Sequence, residues 1–240
     1  MGFISAPDKS KAELDFWDNE LNKKYVDWYE GKDALYNVPP PGHNQKVTGY
    51  SLHVNAAMTW LETFQKRKYL TDLQLRPDTF AGMRLLDIGC GPFPNIMAFS
   101  DCERHGVDPL VEKYRQIGFP ITEWSRMGYE YHCVNAERTQ FDDGAFDAVI
   151  SVNAIDHVDD FEAAAKEIRR ILRPKGLFCM HVHYHKPEPC EPIEISDKLF
   201  LKNFGWVSNL KKAAESNKKD CGLYTAPIGE SFVLWSNITN

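Results

Sequence analysis

The chain has 240 residues, 43% of them apolar and 26% charged, with a formal charge of −6. Such a length supports one well-buried α/β domain with an appendage. The acidic balance excludes an overall basic field for a nucleic-acid backbone, and no apolar run approaches the ~20 residues of a membrane span.

The opening residues show no secretory pattern. Six cysteines without a CxxC pair fit a reduced, cytoplasmic protein. Over residues 8–30, Leu14, Trp17, Leu21, Tyr25 and Trp28 recur at three- and four-residue steps, which predicts a helix stopped at Gly31. Residues 37–49, rich in proline and glycine, predict a loop. A second helix is expected over about 50–75, through Val54, Met58, Leu61, Phe64 and Leu70. Together these residues, 1–78, read as an N-terminal helical cap or lid, and packing is the simpler role for Trp17, Tyr25 and Trp28. Residues 79–240 read as the core.

From residue 83 the rhythm is strand, helix, strand. Strands are expected at 83–90, 104–108, 131–135, 146–153 and 177–184, with a helix at 160–172. Helix-separated β-branched runs imply right-handed crossovers and a doubly wound, mostly parallel sheet. A helix over about 197–216 follows, then short strands at 221–226 and 231–237. These two strands complete a seven-stranded sheet as an antiparallel C-terminal hairpin.

The most informative stretch is Leu85-Leu86-Asp87-Ile88-Gly89-Cys90-Gly91. A buried strand there delivers a carboxylate and a turn without Cβ atoms to the carboxyl edge of the sheet, where a ligand can approach closely. A dinucleotide fingerprint would require glycine at position 94, and the chain has Pro94, which argues against nicotinamide cofactors. An acid two residues before the first glycine suits a ligand with an ammonium beside a carboxylate, and S-adenosylmethionine has both. Asp108 follows Asp87 by one turn, helix and strand, and a carboxylate there can accept from a ribose diol. Asn135, Ala136 and Glu137 end the third strand, where a polar group can meet an adenine edge and Ala136 leaves room for the ring.

In order, LLDIGCG (85–91), GVD (106–108), NAE (135–137), FDAVISVNAIDHV (146–158) and LRPKG (172–176) resemble the class I S-adenosylmethionine-dependent methyltransferases, particularly the small-molecule group. The resemblance spans roughly 80–185. It departs where the family often has a third glycine, at Phe93, and at Lys175. It implies a Rossmann-like fold and S-adenosylmethionine as cofactor. It places Gly89 and Gly91, with Cys90 between them, against the methionine portion, Asp108 at the ribose, and Asn135 to Glu137 at the adenine. Asp87 would act on the ammonium, and Asn153 would lie near the sulfonium.

Histidines crowd the end of the fifth strand at His181, His183 and His185, where alternation puts them on one face. A general base or substrate-orienting role is assigned to this set. A divalent metal site with Glu188 or Glu191 is the alternative, and no metal is assigned. His157 is also retained as a catalytic candidate, although holding the next helix start is its simpler role. The expectation is methyl transfer to a small-molecule acceptor, a hydroxyl of the sugar or secondary-metabolite type, without nucleic-acid or membrane partners. A non-catalytic S-adenosylmethionine-binding regulator and a nicotinamide-dependent oxidoreductase are the alternatives.

Overall fold

A computed structural model describes residues 6–188, 190–216 and 226–239. The first apolar stripe forms α1 (Ala6–Asn19), a wide π-helical turn at Glu20–Tyr25, and α2 (Val26–Glu30), ended by Gly31 in the left-handed conformation. The second forms α3 (Leu52–Trp60), another π-helical turn at Leu61–Gln65, and α4 (Lys66–Leu73). Ser51 caps α3 by accepting from the Val54 N–H at 3.4 Å.

The seven-stranded sheet has the order β3-β2-β1-β4-β5-β7-β6. Its parallel part comprises β1 (Arg84–Ile88), β2 (Glu103–Val107), β3 (Tyr129–His132), β4 (Phe146–Val152) and β5 (Leu172–Tyr184). β7 (Ser231–Ser236) runs antiparallel to β5 and to the edge strand β6 (Lys211–Glu215). Between the strands lie α5 (Val111–Gln116), α6 (Ile121–Arg126), α7 (Phe161–Ile171) and α8 (Asp197–Phe204). Strand order reverses between β1 and β4, so a crevice opens beyond their carboxyl ends.

Three expectations need correction. The helix over 197–216 stops at Phe204, and residues 211–215 form a strand instead. Pairing with β7 outweighs the helical propensity of Lys-Lys-Ala-Ala-Glu there. The third strand lies two residues earlier than its pattern suggests, because residues 133–135 leave the ladder. The hairpin partner of β7 is therefore 211–215, while the strand expected at 221–226 falls, apart from Ala226, outside the described residues.

Apolar packing unites the two halves of the chain. One buried cluster joins Leu21, Tyr25, Trp28, Ala57, Trp60 and Leu61 of the N-terminal helices to Phe93, Tyr114, Phe119, Ile121 and Trp124. Tyr25 stacks on Trp60 at 5.3 Å between ring centres and meets Phe93 edge-on at 5.6 Å.

Candidate functional site

Asp87 leaves β1 with its side chain fully buried. One carboxylate oxygen accepts from the Tyr69 hydroxyl of α4 at 2.6 Å, and the other has no hydrogen-bond partner. Burial pushes its pKa up to about 7, with the charge of Asp108 adding to the rise and the Tyr69 hydrogen bond opposing it. A carboxylate kept dry with an oxygen unspent is suited to a cationic group.

The next turn has to pass very close to its neighbours. Gly89 sits at φ +66°, and a Cβ there would come within 2.4 Å of the Ala154 Cβ. Gly91 sits at φ +60°, and its amide donates to Asp108 Oδ2 at 3.0 Å. The other Asp108 oxygen accepts from the Leu110 amide at 2.8 Å. Asp108 thereby ties the turn after β1 to the turn after β2. Burial raises its pKa to about 6 despite these two donors.

Asn135, Ala136 and Glu137 follow β3 into the same crevice. Glu137 Oε1 is committed to the loop before α7, accepting from the amides of Asp159 at 2.8 Å and Asp160 at 3.2 Å. Asn153 ends β4 at φ +54°, a conformation Asn tolerates better than most residues, with its amide donating to the His181 carbonyl at 2.8 Å.

These residues line one cavity of about 970 Å³. Its volume lies at the upper end of the ~300–1,000 Å³ usual for small-molecule sites. Gly89, Cys90, Gly91, Asp108, Asn135, Ala136, Glu137, Asn153 and His157 reach its wall; Asp87 stands behind Tyr69, which does. The donors and acceptors fit the methyl donor the motifs indicate: acids for its cationic groups, a carboxylate at the second strand end, and a wall free of side chains at Gly89 and Gly91. A smaller hollow of about 340 Å³, lined by Arg169, Arg173, Lys175 and Trp206, lies at the start of β5, away from these residues.

The N-terminal helices and the loop between α2 and α3 close the far side of the cavity, the helices with Phe16, Trp17, Tyr25 and Phe64 and the loop with Tyr36. Trp17 meets Phe93, Phe119 and Tyr114 edge-on and donates from its indole to Glu13 at 2.7 Å. Lys9 donates to the His157 carbonyl at 2.7 Å and also pairs with Asp159, strapping α1 to the loop after β4. The sequence gives no sign of Lys9, Glu13 and Tyr69 at the site, since the site residues they meet, His157, Asp159 and Asp87, lie far along the chain. The available cue is the four-residue spacing of Lys9 and Glu13, which puts both on one face of α1.

The histidines divide. His157 lines the cavity, with Nδ1 3.7 Å from Glu13 and Nε2 3.4 Å from Glu191. Burial lowers its pKa, but the hydrogen bond to Glu191 and the charges of Asp156 and Glu13 prevail and raise it overall. His181, His183 and His185 share one face, as the alternation predicts, but none reaches the cavity wall. His181 is buried against Phe232, without hydrogen-bond partners, and burial lowers its pKa to about 4. His183 and His185 are turned instead toward Asp156, Glu191 and Glu230.

Comparison with known proteins agrees with this geometry. Residues 86–180 match the methyltransferase domain family. A sterol 24-C-methyltransferase of Aspergillus fumigatus is 33% identical over 105 residues, covering 40% of this chain and 27% of that protein. Squalene methyltransferase 1 of Botryococcus braunii is 26% identical over 183 residues, covering 72% of this chain and 47% of its own. The chain thus spans less than half the length of these curated relatives. In fold, geranyl diphosphate C-methyltransferase of Streptomyces coelicolor superposes with a TM-score of 0.56 over 99% of this chain and 100% of that one, at 16% identity. No helix among the described residues is long and apolar enough to cross a membrane. The glycine turn, the acid at each of the first two strand ends and the matched segment together agree with the resemblance to the class I S-adenosylmethionine-dependent methyltransferases, whose domain model matches residues 86–180.

Proposed function

We propose that the protein binds S-adenosylmethionine in the 970 Å³ cavity and methylates a small apolar acceptor there, at a hydroxyl oxygen of the secondary-metabolite type. The observation that carries this reading is convergence: Gly89, Gly91, Asp108, residues 135–137 and Asn153, from four strand ends, face one cavity whose remaining wall is aromatic. Relatives named for a sterol and for squalene support an apolar acceptor. Five described cysteines are all free thiols, which supports a reducing, cytoplasmic setting.

When bound, S-adenosylmethionine supplies a methyl carbon on positively charged sulfur that needs no further activation. The chain's part is then alignment and proton removal. Asp108 holds the two turns that shape the donor side, and Tyr69 with Asp87 presents the acidic end. Phe16, Trp17, Tyr36 and Phe64 exclude water and orient the acceptor. His157 is the base at the wall, taking the hydroxyl proton while Glu13 and Glu191 stabilise the imidazolium that results. The cap, residues 1–78, acts as the element that completes this enclosure.

A second reading, methylation of an alkene carbon, is favoured by the aromatic lining, whose ring faces stabilise positive charge. Incubation with methyl-labelled donor and a panel of phenols, hydroxylated terpenoids and plain alkenes separates the two by the mass and connectivity of the product. Expected is an O-methyl product, with turnover at saturating donor reduced in His157→Gln. Donor binding with no transfer to any acceptor would instead indicate a regulatory protein, and NAD binding without S-adenosylhomocysteine binding an oxidoreductase.

A further inference from the structure

Beside the cavity, at the carboxyl ends of β4 and β5, Asp156, His183, His185 and Glu191 each offer one ligand atom, and all four atoms lie within 4.8 Å of one another. Asp156 comes from the short 3-10 turn Ile155–His157, the histidines from the end of β5, and Glu191 from the following loop. We propose that these four residues bind a first-row divalent transition-metal ion of the Zn2+ or Mn2+ kind. The proposal does not depend on the acceptor or on methyl transfer.

Hydrogen bonding leaves the ring nitrogens facing the right way. His185 Nδ1 donates to the Lys186 carbonyl at 2.6 Å, which leaves Nε2, 3.2 Å from Asp156 Oδ2 and 3.3 Å from Glu191 Oε2, as the nitrogen that would give its lone pair to an ion on losing its proton. His183 Nε2 is 2.8 Å from Glu230 Oε2, which takes its proton donor and leaves Nδ1 directed at Glu191 Oε2, 3.8 Å away. Ligating histidines characteristically spend their second nitrogen in this way, on a carbonyl or a carboxylate. Ligand bonds of ~2.0–2.2 Å at tetrahedral angles put neighbouring ligand atoms roughly 3.3–3.6 Å apart, close to the 3.2, 3.3 and 3.8 Å between these three pairs.

Charge and burial point in the same direction. Asp156 is fully buried, and its Oδ1 has no hydrogen-bond partner. With both imidazoles acting as ligands, and therefore unprotonated, the two carboxylates leave a charge of −2, which a divalent ion neutralises without desolvating an uncompensated anion. The mixed nitrogen and oxygen donor set suits Zn2+ or Mn2+, whereas Mg2+ prefers oxygen alone. Glu191 also lines the cavity, so the ion would sit in the wall that the acceptor meets. The competing arrangement is a proton on His185 Nε2 bridging both carboxylates.

Metal-stripped, untagged full chain, without cofactor, is titrated with ZnCl2 and MnCl2 by calorimetry and with CoCl2 by visible absorption. One equivalent should bind per chain. Glu191→Gln and His183→Asn should each weaken binding at least ~100-fold, and Glu230→Gln, which removes only an outer partner, roughly 10- to 100-fold. Both ligand changes are at partly exposed positions, and circular dichroism checks that each variant is folded. His132→Asn, in the separate group formed by His105, Glu130 and His132, should bind like the wild type. Failure to bind one equivalent, unchanged affinity in both ligand variants, or loss confined to His132→Asn would each overturn the site and leave the bridging proton in its place.

Discussion

Asp87→Asn should make the free protein more stable at neutral pH while weakening its hold on the methyl donor. In the folded chain the Asp87 carboxyl titrates at about 7, against 3.8 for an unperturbed one, mainly because it is buried. A raised folded value means that the native state holds more protons than the unfolded chain between these limits. The stability tied to this group is therefore greatest below about pH 4, falls as pH rises toward 7, and is flat above. A difference of three units corresponds to roughly 4 kcal/mol.

Asparagine cannot ionise and keeps an oxygen for the Tyr69 hydroxyl, but its amide group takes the place of the unpartnered oxygen at a cost of ~1–3 kcal/mol. The net gain at pH 8 is roughly 1–3 kcal/mol, or a rise in Tm of about 2–10 °C for a chain of this size. Because Asp87 stands behind Tyr69, its charge would act on the donor's ammonium across that side chain and not by direct contact, so its loss should cost less than a charge-assisted hydrogen bond, about 1 kcal/mol or roughly 5-fold in affinity. Thermal melts of both proteins at pH 5 and pH 8 read the first effect, taken as the difference between them because Asp108 titrates nearby. Calorimetry with S-adenosylhomocysteine reads the second. A variant destabilised equally at both pH values, with product affinity unchanged, would refute the reasoning.

The two glycines of the turn should respond differently to alanine. Gly89→Ala meets Ala154 at 2.4 Å as well as an unfavourable φ, so urea unfolding should show a loss of about 3–5 kcal/mol; Gly91→Ala has nothing closer than Trp17 at 3.7 Å and should lose only ~1–2 kcal/mol. Equal losses would mean that Ala154 yields freely. Glu167 accepts from the Thr139 amide and hydroxyl and from Arg170 at 2.7–2.9 Å. Burial alone would raise its pKa, but these donors hold it down at about 2. The stability it confers is present above about pH 4.5 and is lost as pH falls toward 2. Glu167→Gln should therefore cost roughly 2–3 kcal/mol at pH 7 and progressively less below pH 4, measured by denaturant melts across that range.

What could be read from the chain followed from local physics. β1, β4 and β5 are buried on both faces and announce themselves as apolar runs, and the acids at 87 and 108 sit where such strands must end. Residues 211–215 carry a helical pattern of their own, and their strand comes from pairing with β7, twenty residues on. The alternation of His181, His183 and His185 is legible, but what they meet is not: Phe232 of β7 stacks on His181, and the loop after β5 folds Glu191 against His183 and His185. Tyr69 illustrates the same limit. Its contact with Asp87 exists only because α4 docks across the sheet, and nothing within its own helix indicates that.

The shared aromatic cluster has a consequence for how this chain could be divided. The matched stretch 86–180 is not a portable module here. Cutting near residue 78 would strip Trp17, Tyr25, Trp28 and Trp60 from Phe93, Tyr114, Phe119 and Trp124, leaving a greasy crater beside the donor pocket. An excised core would be expected to clump before it could be assayed. Grafting a new acceptor preference onto this scaffold therefore means rewriting side chains such as Phe16, Tyr36 and Phe64 in place, since exchanging the helices wholesale would dismantle the aromatic packing behind the cavity's glycine turn.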